Sequence, residues 1–387
     1  MTSALPVKTA QFVVKLSKYC NLRCTYCYEY LELGNKERMS LERLRRFFAN
    51  AAAYADQNGI RSLSFIWHGG EPFLIPLDFY EEIRRLQDEA FGERIAVVNS
   101  VQTNLTVLTD RHVEVLRQGR IFRGIGMSFD VYGNQRVDTK GALRTDAILG
   151  NMQKLIDNRI PFGAIAVLAR NTLPYAAEIY KFYDRLKIES RFLPFYMSAG
   201  DGQVSAHALT GREITDALKA LFDCWMVSET ATPVDPIGEY IDYAVAWMAG
   251  APKSRYDKLA QEFVYIVNVD GGTWGVAEAY DPAYCYGNVF EQELAAVFQS
   301  PVRRRAAHES AQRMQTYCAQ CPYFGSCPGF FVGDATPEQQ RLLADFGCPV
   351  REVIDHMVGR LEKTEIKDAL LSAGAPKTEN PALQVSL

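Results

Sequence analysis

The sequence predicts an α/β protein whose first half is a parallel sheet and whose last third carries a second, cysteine-rich region. Apolar runs of strand length alternate with stretches of helix length from residue 12 to about residue 197. Strands separated by helices of this length are typical of βαβ units, in which the strands are parallel. Seven of the nine cysteines form two groups, one directly after the first strand and one between residues 318 and 348.

Six strands are predicted in the first half, and a helix follows each of the first five. The predicted strands are 12–16, 63–67, 95–101, 125–129, 162–168 and 192–196. The predicted helices between them are 41–57, 77–90, 110–117, 145–158 and 175–186. Six units are too few for a closed eight-fold barrel. In parallel folds the active site gathers at the carboxyl ends of the strands, so functional residues are expected there.

Length and charge limit the function classes. A chain of 387 residues is expected to form one large or two modest domains. The net charge of −4 gives no support to a nucleic-acid partner. No apolar run reaches membrane-spanning length, and residues 1–10 lack the apolar core of a signal peptide. These features predict a cytoplasmic protein without a membrane partner, in which tightly spaced cysteines bind metal rather than form disulfides.

The first cysteine group is Cys20, Cys24 and Cys27, spaced C-x3-C-x2-C directly after the first strand. Thiolates are the soft ligands preferred by zinc and by iron–sulfur clusters. A structural zinc site usually has four protein ligands, and no fourth lies near: His68 and Cys224 are far along the chain. Three ligands on a four-iron cluster leave one iron free to hold a small molecule. The alternative is a buried trio of unreactive cysteines.

At these residues the chain resembles the radical S-adenosylmethionine (SAM) superfamily, whose signature has an aromatic residue, here Tyr26, before the last cysteine. The resemblance implies a partial (β/α)6 radical SAM barrel. It also implies a [4Fe–4S] cluster on the three cysteines, with SAM bound to the open iron. Reductive cleavage of SAM would then supply a 5′-deoxyadenosyl radical, so the cofactor carries the chemistry and the protein positions it.

Further resemblances at the strand ends suggest how SAM is bound. The sequence Gly69-Gly70-Glu71-Pro72 resembles the motif that binds the SAM amino group. The end of the third strand, with Gln102 and Asn104, and the end of the fourth, with Ser128, are similar to the corresponding strand ends of the family. Amide and hydroxyl side chains at these positions suit recognition of a ribose and a carboxylate. Ordinary turn chemistry is the alternative for these residues. Either Arg136 or Arg144 could clamp the SAM carboxylate, and Arg144 is preferred; His68 is assigned no role. The predicted cofactor-binding residues are Gly69, Gly70, Glu71, Gln102, Asn104, Ser128 and Arg144.

The second cysteine group follows a predicted β-hairpin, residues 263–267 and 273–277, with an Asp-Gly turn. This region resembles the SPASM extension of radical SAM enzymes, whose full pattern carries two auxiliary clusters. The chain departs from that pattern, because Phe331 stands where a cysteine is expected and the hairpin has none. One auxiliary cluster is therefore predicted, giving two [4Fe–4S] clusters in total. Its predicted ligands are Cys318, Cys321, Cys327 and Cys348.

Two alternatives stay open for this region. Cys285 is predicted to be a free thiol, or else the fourth ligand in place of Cys348. A zinc ribbon is the other reading of the C-x2-C pair. The predicted domains are the barrel over 10–200, a helical bridge over 201–260 with helices at 213–229 and 237–249, the SPASM-like iron–sulfur extension over 261–363, and a mobile tail over 364–387.

The chain as a whole resembles radical SAM/SPASM maturases of ribosomal peptides, in particular the branch that forms side-chain crosslinks. The resemblance implies abstraction of a side-chain hydrogen from a precursor peptide and formation of a C–C bond to an aromatic ring, giving a cyclophane. A thioether or ether link, or formylglycine formation as in sulfatase maturation, are alternatives. A non-catalytic iron–sulfur or zinc scaffold is a further one. The expected partners are a precursor peptide and a reductant such as flavodoxin or ferredoxin.

The sequence leaves several properties open: the precursor, the bond formed, the oligomeric state and the binding of a leader peptide. The general base is also open, with Asp270, Glu278 and Asp281 as weak candidates near the hairpin.

Overall fold

The central element of the protein is one sheet, seen in a computed structural model that describes residues 9–196, 205–251 and 254–363. Within these residues ten strands lie in the order β10-β9-β8-β1-β2-β3-β4-β5-β6-β7. The strands from β1 to β7 are parallel to their neighbours, and so is β8 to β1, whereas β9 and β10 are antiparallel. The strands are β1 Thr9–Ser17, β2 Ser62–Gly69, β3 Ala96–Thr103, β4 Gly124–Ser128, β5 Gly163–Leu168, β6 Ser190–Pro194, β7 Val234–Asp235, β8 Val264–Val267, β9 Gly272–Gly275 and β10 Gly287–Asn288.

Helices connect the parallel strands and complete the C-terminal region. Those of the first half are α1 Leu41–Asn58, α2 Leu77–Phe91, α3 Asp110–Gln118, α4 Thr145–Asp157 and α5 Ala176–Arg185. Those that follow are α6 Gly211–Met226, α7 Ile237–Met248, α8 Lys258–Gln261, α9 Leu294–Phe298, α10 Pro301–Tyr317, α11 Phe330–Gly333, α12 Pro337–Phe346 and α13 Pro349–Leu361. The predicted α/β class with a parallel sheet is confirmed, and α1 to α5 differ from prediction by at most one residue at either end.

Some predicted bounds were wrong. The helix expected at 213–229 is α6, which begins at Gly211 because Thr210 caps it: the Thr210 side chain accepts from the Glu213 amide, and Glu213 reaches back. The sixth strand lies two residues earlier than predicted, since the aromatic pair after Pro194 follows the strand rather than belonging to it. The two-residue strands β7 and β10 were not predicted.

The strands of the sheet have two different faces because side chains alternate along a strand. Phe12, Val14 and Leu16 of β1 face the helices and belong to the main core. The intervening residue Val13 faces the other way, into a small apolar cluster with Ile66 of β2 and Ile266 of β8. Burying a large apolar side chain stabilises a fold by about 1.5–3 kcal/mol, so the outer layer of helices holds the sheet in shape.

The predicted hairpin is confirmed as β8 and β9, which pair antiparallel. Because β8 also pairs with β1, the C-terminal region extends the same sheet as the first half. The last helix, α13, packs against α6 and α7. The predicted domain boundaries stay predictions, and the predicted tail at 364–387 lies outside the described residues. In the described part of the chain, no helix combines the length and apolar content needed to cross a bilayer.

Candidate functional site

The first cysteine group lies on one loop after β1, here called the cysteine loop (residues 20–27). Its three thiols pack into a single small cluster with Leu33, and Cys20 and Cys24 are buried. Burial raises the pKa of Cys20 and of Cys27 to about 12. Such thiols stay protonated at neutral pH unless a cation replaces the lost hydration. Three crowded thiols on one loop, two of them on buried residues, therefore fit an iron–sulfur cluster as their compensating partner.

The loop after β4 fixes the cysteine loop in place. The Tyr26 hydroxyl donates to the Asp130 carboxylate at 2.6 Å, and the Arg136 guanidinium donates to the same carboxylate at 3.1 Å. The Asp130 and Arg136 side chains are both almost completely buried. A second contact joins the Thr25 hydroxyl to the Gln135 side chain at 2.9 Å. Removing one member of a buried ion pair is strongly destabilising, so these contacts make the position of the cysteine loop depend on the end of β4.

The two glycines after β2 are required by a close approach of two chain segments. A Cβ atom at Gly69 would collide with the carbonyl oxygen of Ser17, and one at Gly70 with that of Tyr19. Gly69 also has a φ of +99°, which disfavours other residues. The Glu71 amide donates to the Tyr19 carbonyl at 2.9 Å. The motif therefore lies directly against the backbone that leads into Cys20.

Glu71 is buried, and its carboxylate already holds three donors of this chain. The Thr103 hydroxyl and the Phe73 amide donate to Oε1 at 2.7 and 2.8 Å, and the Asn104 amide donates to Oε2 at 2.7 Å. Desolvation nevertheless raises the pKa of Glu71 to about 7, against the effect of these hydrogen bonds. Since the Asn104 amide is the one donor to Oε2 among the described residues, this oxygen keeps a lone pair for a further donor such as an amino group.

The predicted residues at the ends of β3 and β4 lie together. The Gln102 side-chain amide donates to the Ser128 hydroxyl at 2.9 Å. Its Oε1 is buried and has no hydrogen-bond partner among the described residues. The Asn104 side chain approaches the Cys20 sulfur at 3.6 Å and donates to Asn21 at 3.0 Å. An orphaned buried acceptor beside the cysteine loop is what an absent polar ligand would satisfy.

The two arginines considered for a carboxylate clamp differ in their surroundings. Arg144 lies at the start of α4 with its side chain 41% exposed, 3.7 Å from the Asp138 carboxylate. Arg136 is buried in its pair with Asp130. The Arg144 guanidinium is therefore accessible to a ligand, whereas that of Arg136 is occupied by the contact that holds the cysteine loop. A role for Arg144 in SAM binding stays a prediction.

A group of buried polar residues that the sequence interpretation missed lies beside the cysteine loop. Lys15 of β1 is completely buried, with its ammonium 3.6 Å from the Glu29 carboxylate and in contact with the Tyr28 hydroxyl. The same ammonium lies 3.1 Å from Nδ1 of His68. Desolvation lowers the pKa of Lys15, while Glu29 opposes this shift. In the sequence, Lys15 is a single charged residue within an apolar strand. Because a buried charge is costly without a partner, this residue could have indicated that one face of β1 carries polar contacts.

The contacts of His68 fix its tautomer. Its Nδ1 faces two donors, the Gly69 amide at 2.7 Å and the Lys15 ammonium at 3.1 Å. A nitrogen that accepts these donors carries no proton, so the proton is on Nε2. Burial lowers the pKa of His68 well below its usual range, which keeps the ring neutral. His68, assigned no role from the sequence, thus presents a fixed Nε2–H donor.

The Tyr28 residue is partly exposed although it contacts a completely buried one. It is 43% exposed, and its hydroxyl contacts the ammonium of the completely buried Lys15. We call the space next to the exposed part of Tyr28 the chamber.

The second cysteine group forms one cavity in the C-terminal region. The cavity, of about 30 Å³, has a wall of thiols and of aromatic and apolar side chains, including Phe331. Burial, with a smaller contribution from neighbouring thiols, raises the pKa of Cys318 and Cys327 to about 12. Four thiols around one cavity, with the pKa of the Cys348 thiol also raised by burial, fit a metal cluster as the source of positive charge. The cysteines that line it are Cys318, Cys321, Cys327 and Cys348.

Cys285 does not line that cavity; its thiol lies 3.5 Å from the Gly287 carbonyl oxygen. Over the described ranges, no three His, Cys, Asp or Glu side chains are arranged so as to hold a single metal ion.

The three carboxylates near the hairpin have structural partners. Glu278 lies 3.0 Å from the buried ammonium of Lys258, which also pairs with Glu262 and Asp334. Asp270 and Asp281 each accept from a backbone amide two residues further on.

Comparison with known proteins finds a family model that matches part of the chain and several relatives that match most of it. Residues 14–183 match the model of the Radical SAM superfamily. The chain is 24% identical over 331 residues to the cysteine-type anaerobic sulfatase-maturating enzyme of Clostridium novyi, covering 83% of this chain and 87% of that protein. It is also 24% identical over 341 residues to the serine-type enzyme of Bacteroides thetaiotaomicron, covering 80% of this chain and 79% of that one.

Solved structures show the same fold. Native anSMEcpe with bound AdoMet and Cp18Cys peptide superposes with a TM-score of 0.73 at 19% identity, covering 94% of this chain and 99% of that one. Streptococcus suis SuiB bound to S-adenosylmethionine superposes with a TM-score of 0.57 at 16% identity, covering 88% of this chain and 75% of that one. The predicted partial barrel with a C-terminal extension is thereby confirmed.

Proposed function

We propose that this chain, an enzyme whose residues 14–183 form a radical SAM domain, is a maturase of a ribosomally made precursor peptide. It removes a hydrogen from a side-chain carbon of the peptide and closes an intramolecular crosslink, a C–C bond to an aromatic ring. The observation that carries a SAM-dependent activity is the convergence of the cysteine loop, the Gly69–Glu71 segment and the strand ends of β3 and β4 at one edge of the sheet.

The cofactors fit the donor sets of this chain. A [4Fe–4S] cluster on Cys20, Cys24 and Cys27 with SAM on its open iron would supply a primary carbon radical that can remove hydrogen from an unactivated carbon. Glu71 would hold the SAM amino group through its free lone pair, and Gln102 would use its orphaned Oε1 toward the ligand. Arg144 is the group assigned to the SAM carboxylate.

Ring closure sets a requirement on electrons. The crosslink loses two hydrogens in total: one is abstracted as an atom, and the second leaves as a proton together with one electron. A second [4Fe–4S] cluster on the four cysteines of the C-terminal cavity would supply an electron acceptor, and a reductant such as flavodoxin or ferredoxin would supply the electron for SAM cleavage. The SPASM type of the extension and the count of two clusters belong to this proposal.

Formylglycine formation is the second candidate, favoured by the similarity of the chain to anaerobic sulfatase-maturating enzymes. The crosslinking proposal is supported by the thiol count, because Phe331 lies in the wall of the four-cysteine cavity and the hairpin provides no cysteine. The chain thus has thiols for one auxiliary cluster, whereas the full pattern serves two.

The test is anaerobic incubation of reconstituted protein with SAM, reductant and candidate precursor peptides encoded beside its gene. A crosslinked product lacks two hydrogens, gives fragments bridged between two residues and does not react with a hydrazide. Formylglycine made from serine also lacks two hydrogens but reacts with the hydrazide, and formylglycine made from cysteine loses sulfur. The Cys24→Ala protein is the control without radical formation. A hydrazide-reactive product would replace the crosslinking proposal by formylglycine formation. Absence of SAM cleavage would favour the non-catalytic scaffold instead.

A further inference from the structure

The most informative unassigned feature is the Tyr28 ring, which follows Cys27 directly in the chain. Its hydroxyl contacts the completely buried ammonium of Lys15. One face lies against Tyr280, with ring centroids 6.0 Å apart and planes at 25°. Nevertheless the side chain is 43% exposed. A ring held at its hydroxyl edge and on one face can expose only its remaining face and edge, and these border the chamber.

The ring is held by the interior of the barrel and not by the surface loop alone. Tyr280 comes from the C-terminal region and packs against the inward-facing cluster of Val13, Ile66 and Ile266. Lys15 lies on β1, and its ammonium also contacts His68 at the end of β2. Two separate chain segments, β1 and the C-terminal region, therefore hold the Tyr28 ring, and the end of β2 contacts the Lys15 ammonium. A fixed ring loses little conformational freedom when a ligand packs on it, so its free face is preorganised.

We propose that the free face of Tyr28 is the subsite that receives an aromatic side chain of the substrate peptide. This rests on the proposed function, which requires an aromatic ring to be held within reach of the carbon radical. Offset-stacked rings attract each other beyond their buried area, with centroids about 4.5–7 Å apart, and the spacing between Tyr28 and Tyr280 already falls in that range. Because Tyr28 adjoins Cys27, a ring stacked on it lies beside the site at which hydrogen is abstracted.

Two features of the surroundings match this occupant. The Lys15 ammonium lies at the hydroxyl edge of Tyr28, 4.8 Å from the ring centre, so it does not cover the free face. The neutral His68 ring, next to Lys15, carries its proton on Nε2 and can donate to a peptide carbonyl. An aromatic face close to a single fixed donor recognises an aromatic residue together with its backbone.

The test uses reconstituted, SAM-loaded protein and needs no cognate precursor. Binding of N-acetyl-tryptophan amide and of N-acetyl-leucine amide is measured by equilibrium dialysis under anaerobic conditions. We expect wild type to prefer the aromatic amide by roughly two- to tenfold. Tyr28→Phe, which keeps the ring, should retain this preference, and Tyr28→Leu should lose it. Phe263→Leu, which removes an exposed aromatic ring directly before β8 at the opposite edge of the sheet, is the matched control and should behave as wild type.

Three outcomes would overturn the proposal. Equal binding of the two amides by wild type would do so without any variant, which keeps the test valid if Tyr28→Leu fails to fold. An unchanged aromatic preference in Tyr28→Leu would remove Tyr28 from the subsite. A loss of SAM affinity in Tyr28→Leu as large as the loss of aromatic preference would place the adenine ring of SAM there instead. Because no crosslink is measured, failure of the crosslinking proposal is read separately from these results.

Discussion

Replacing Glu71 by Gln tests whether this carboxylate holds the SAM amino group. Hydrogen bonds to a charged group contribute about 1.5–3 kcal/mol, against about 0.5–1.5 kcal/mol for neutral pairs. Loss of the charge should therefore weaken SAM binding by about 1–1.5 kcal/mol, or about tenfold in Kd. The measurement is equilibrium dialysis of SAM with anaerobic wild-type and Glu71→Gln proteins at matched iron content. An unchanged SAM affinity would refute the assignment.

The pH dependence of stability and of SAM affinity in wild-type protein gives a second, independent test of the role of Glu71. The pKa of Glu71 is raised from its ordinary value of 4.5 to about 7 by burial. The protonated form is thus favoured in the folded state, and its stabilising contribution is lost as the pH rises from 4.5 through about 7. At about 1.36 kcal/mol per pKa unit the loss is at most about 3 kcal/mol. SAM affinity should change in the opposite direction, since only the ionised carboxylate makes the charge-assisted bond: it rises between about pH 6 and about pH 8.

The glutamine side chain of the Glu71→Gln variant would lack this titration but introduce a different cost. Its oxygen can keep the two donors at Oε1, but its NH2 group then faces the Asn104 amide, which loses its acceptor. An unsatisfied buried donor costs about 1–3 kcal/mol. Thermal unfolding should show wild type more stable than Glu71→Gln at low pH, with the difference shrinking as the pH rises through about 7. A difference that stays constant or grows with pH would contradict the raised pKa.

Three further predictions concern the clusters and the loop that carries one of them. Replacing any one cysteine of the cysteine loop by Ala should abolish 5′-deoxyadenosine formation while the C-terminal site keeps iron, measured by chromatography and iron analysis; residual full cleavage would disprove the assignment. Anaerobic wild type should contain about eight irons per chain, since two [4Fe–4S] clusters are predicted; near twelve would overturn this count, and loss of C-terminal iron in Cys285→Ala but not in Cys348→Ala would exchange the fourth ligand. Gly70→Ala should lower iron loading of the first site, because the new Cβ meets the Tyr19 carbonyl next to Cys20; normal loading and SAM cleavage would show that the two segments can separate at little cost.

The sequence was informative wherever a local pattern determines the structure. Alternating apolar residues and helix-length spacing predicted α1 to α5 closely, because both signals repeat over many residues. Two-residue strands such as β7 carry no such repetition, and their pairing depends on partners far away in the chain. The pairing of β8 with β1 joins segments that are far apart in the chain, Gln11 to Val264 for example, and nothing in either strand alone specifies it.

The same distinction applies to the site. The cysteine spacing and the Gly-Gly-Glu segment are local, and they marked the residues that the structure brings to one edge of the sheet. The contacts of Lys15, Tyr28 and Tyr280 are not local, since they join β1, the cysteine loop and the C-terminal region. The chain did contain one signal, a lysine within an apolar strand, but its partner carboxylate Glu29 could be found only once the loop was folded.

The sheet order explains why the C-terminal region reaches the chamber at all. Pairing of β8 with β1 places the residues after β9 beside the strand that leads into the cysteine loop. Tyr280, located there, can then pack with Val13 and Ile66 and lie against Tyr28. If β8 did not extend the sheet, the Tyr28 ring would lose its contact with Tyr280 and would be held by Lys15 alone. The C-terminal region therefore has two separate effects in this protein: it provides the four-cysteine cavity, and it completes the wall on which we place the substrate's aromatic ring.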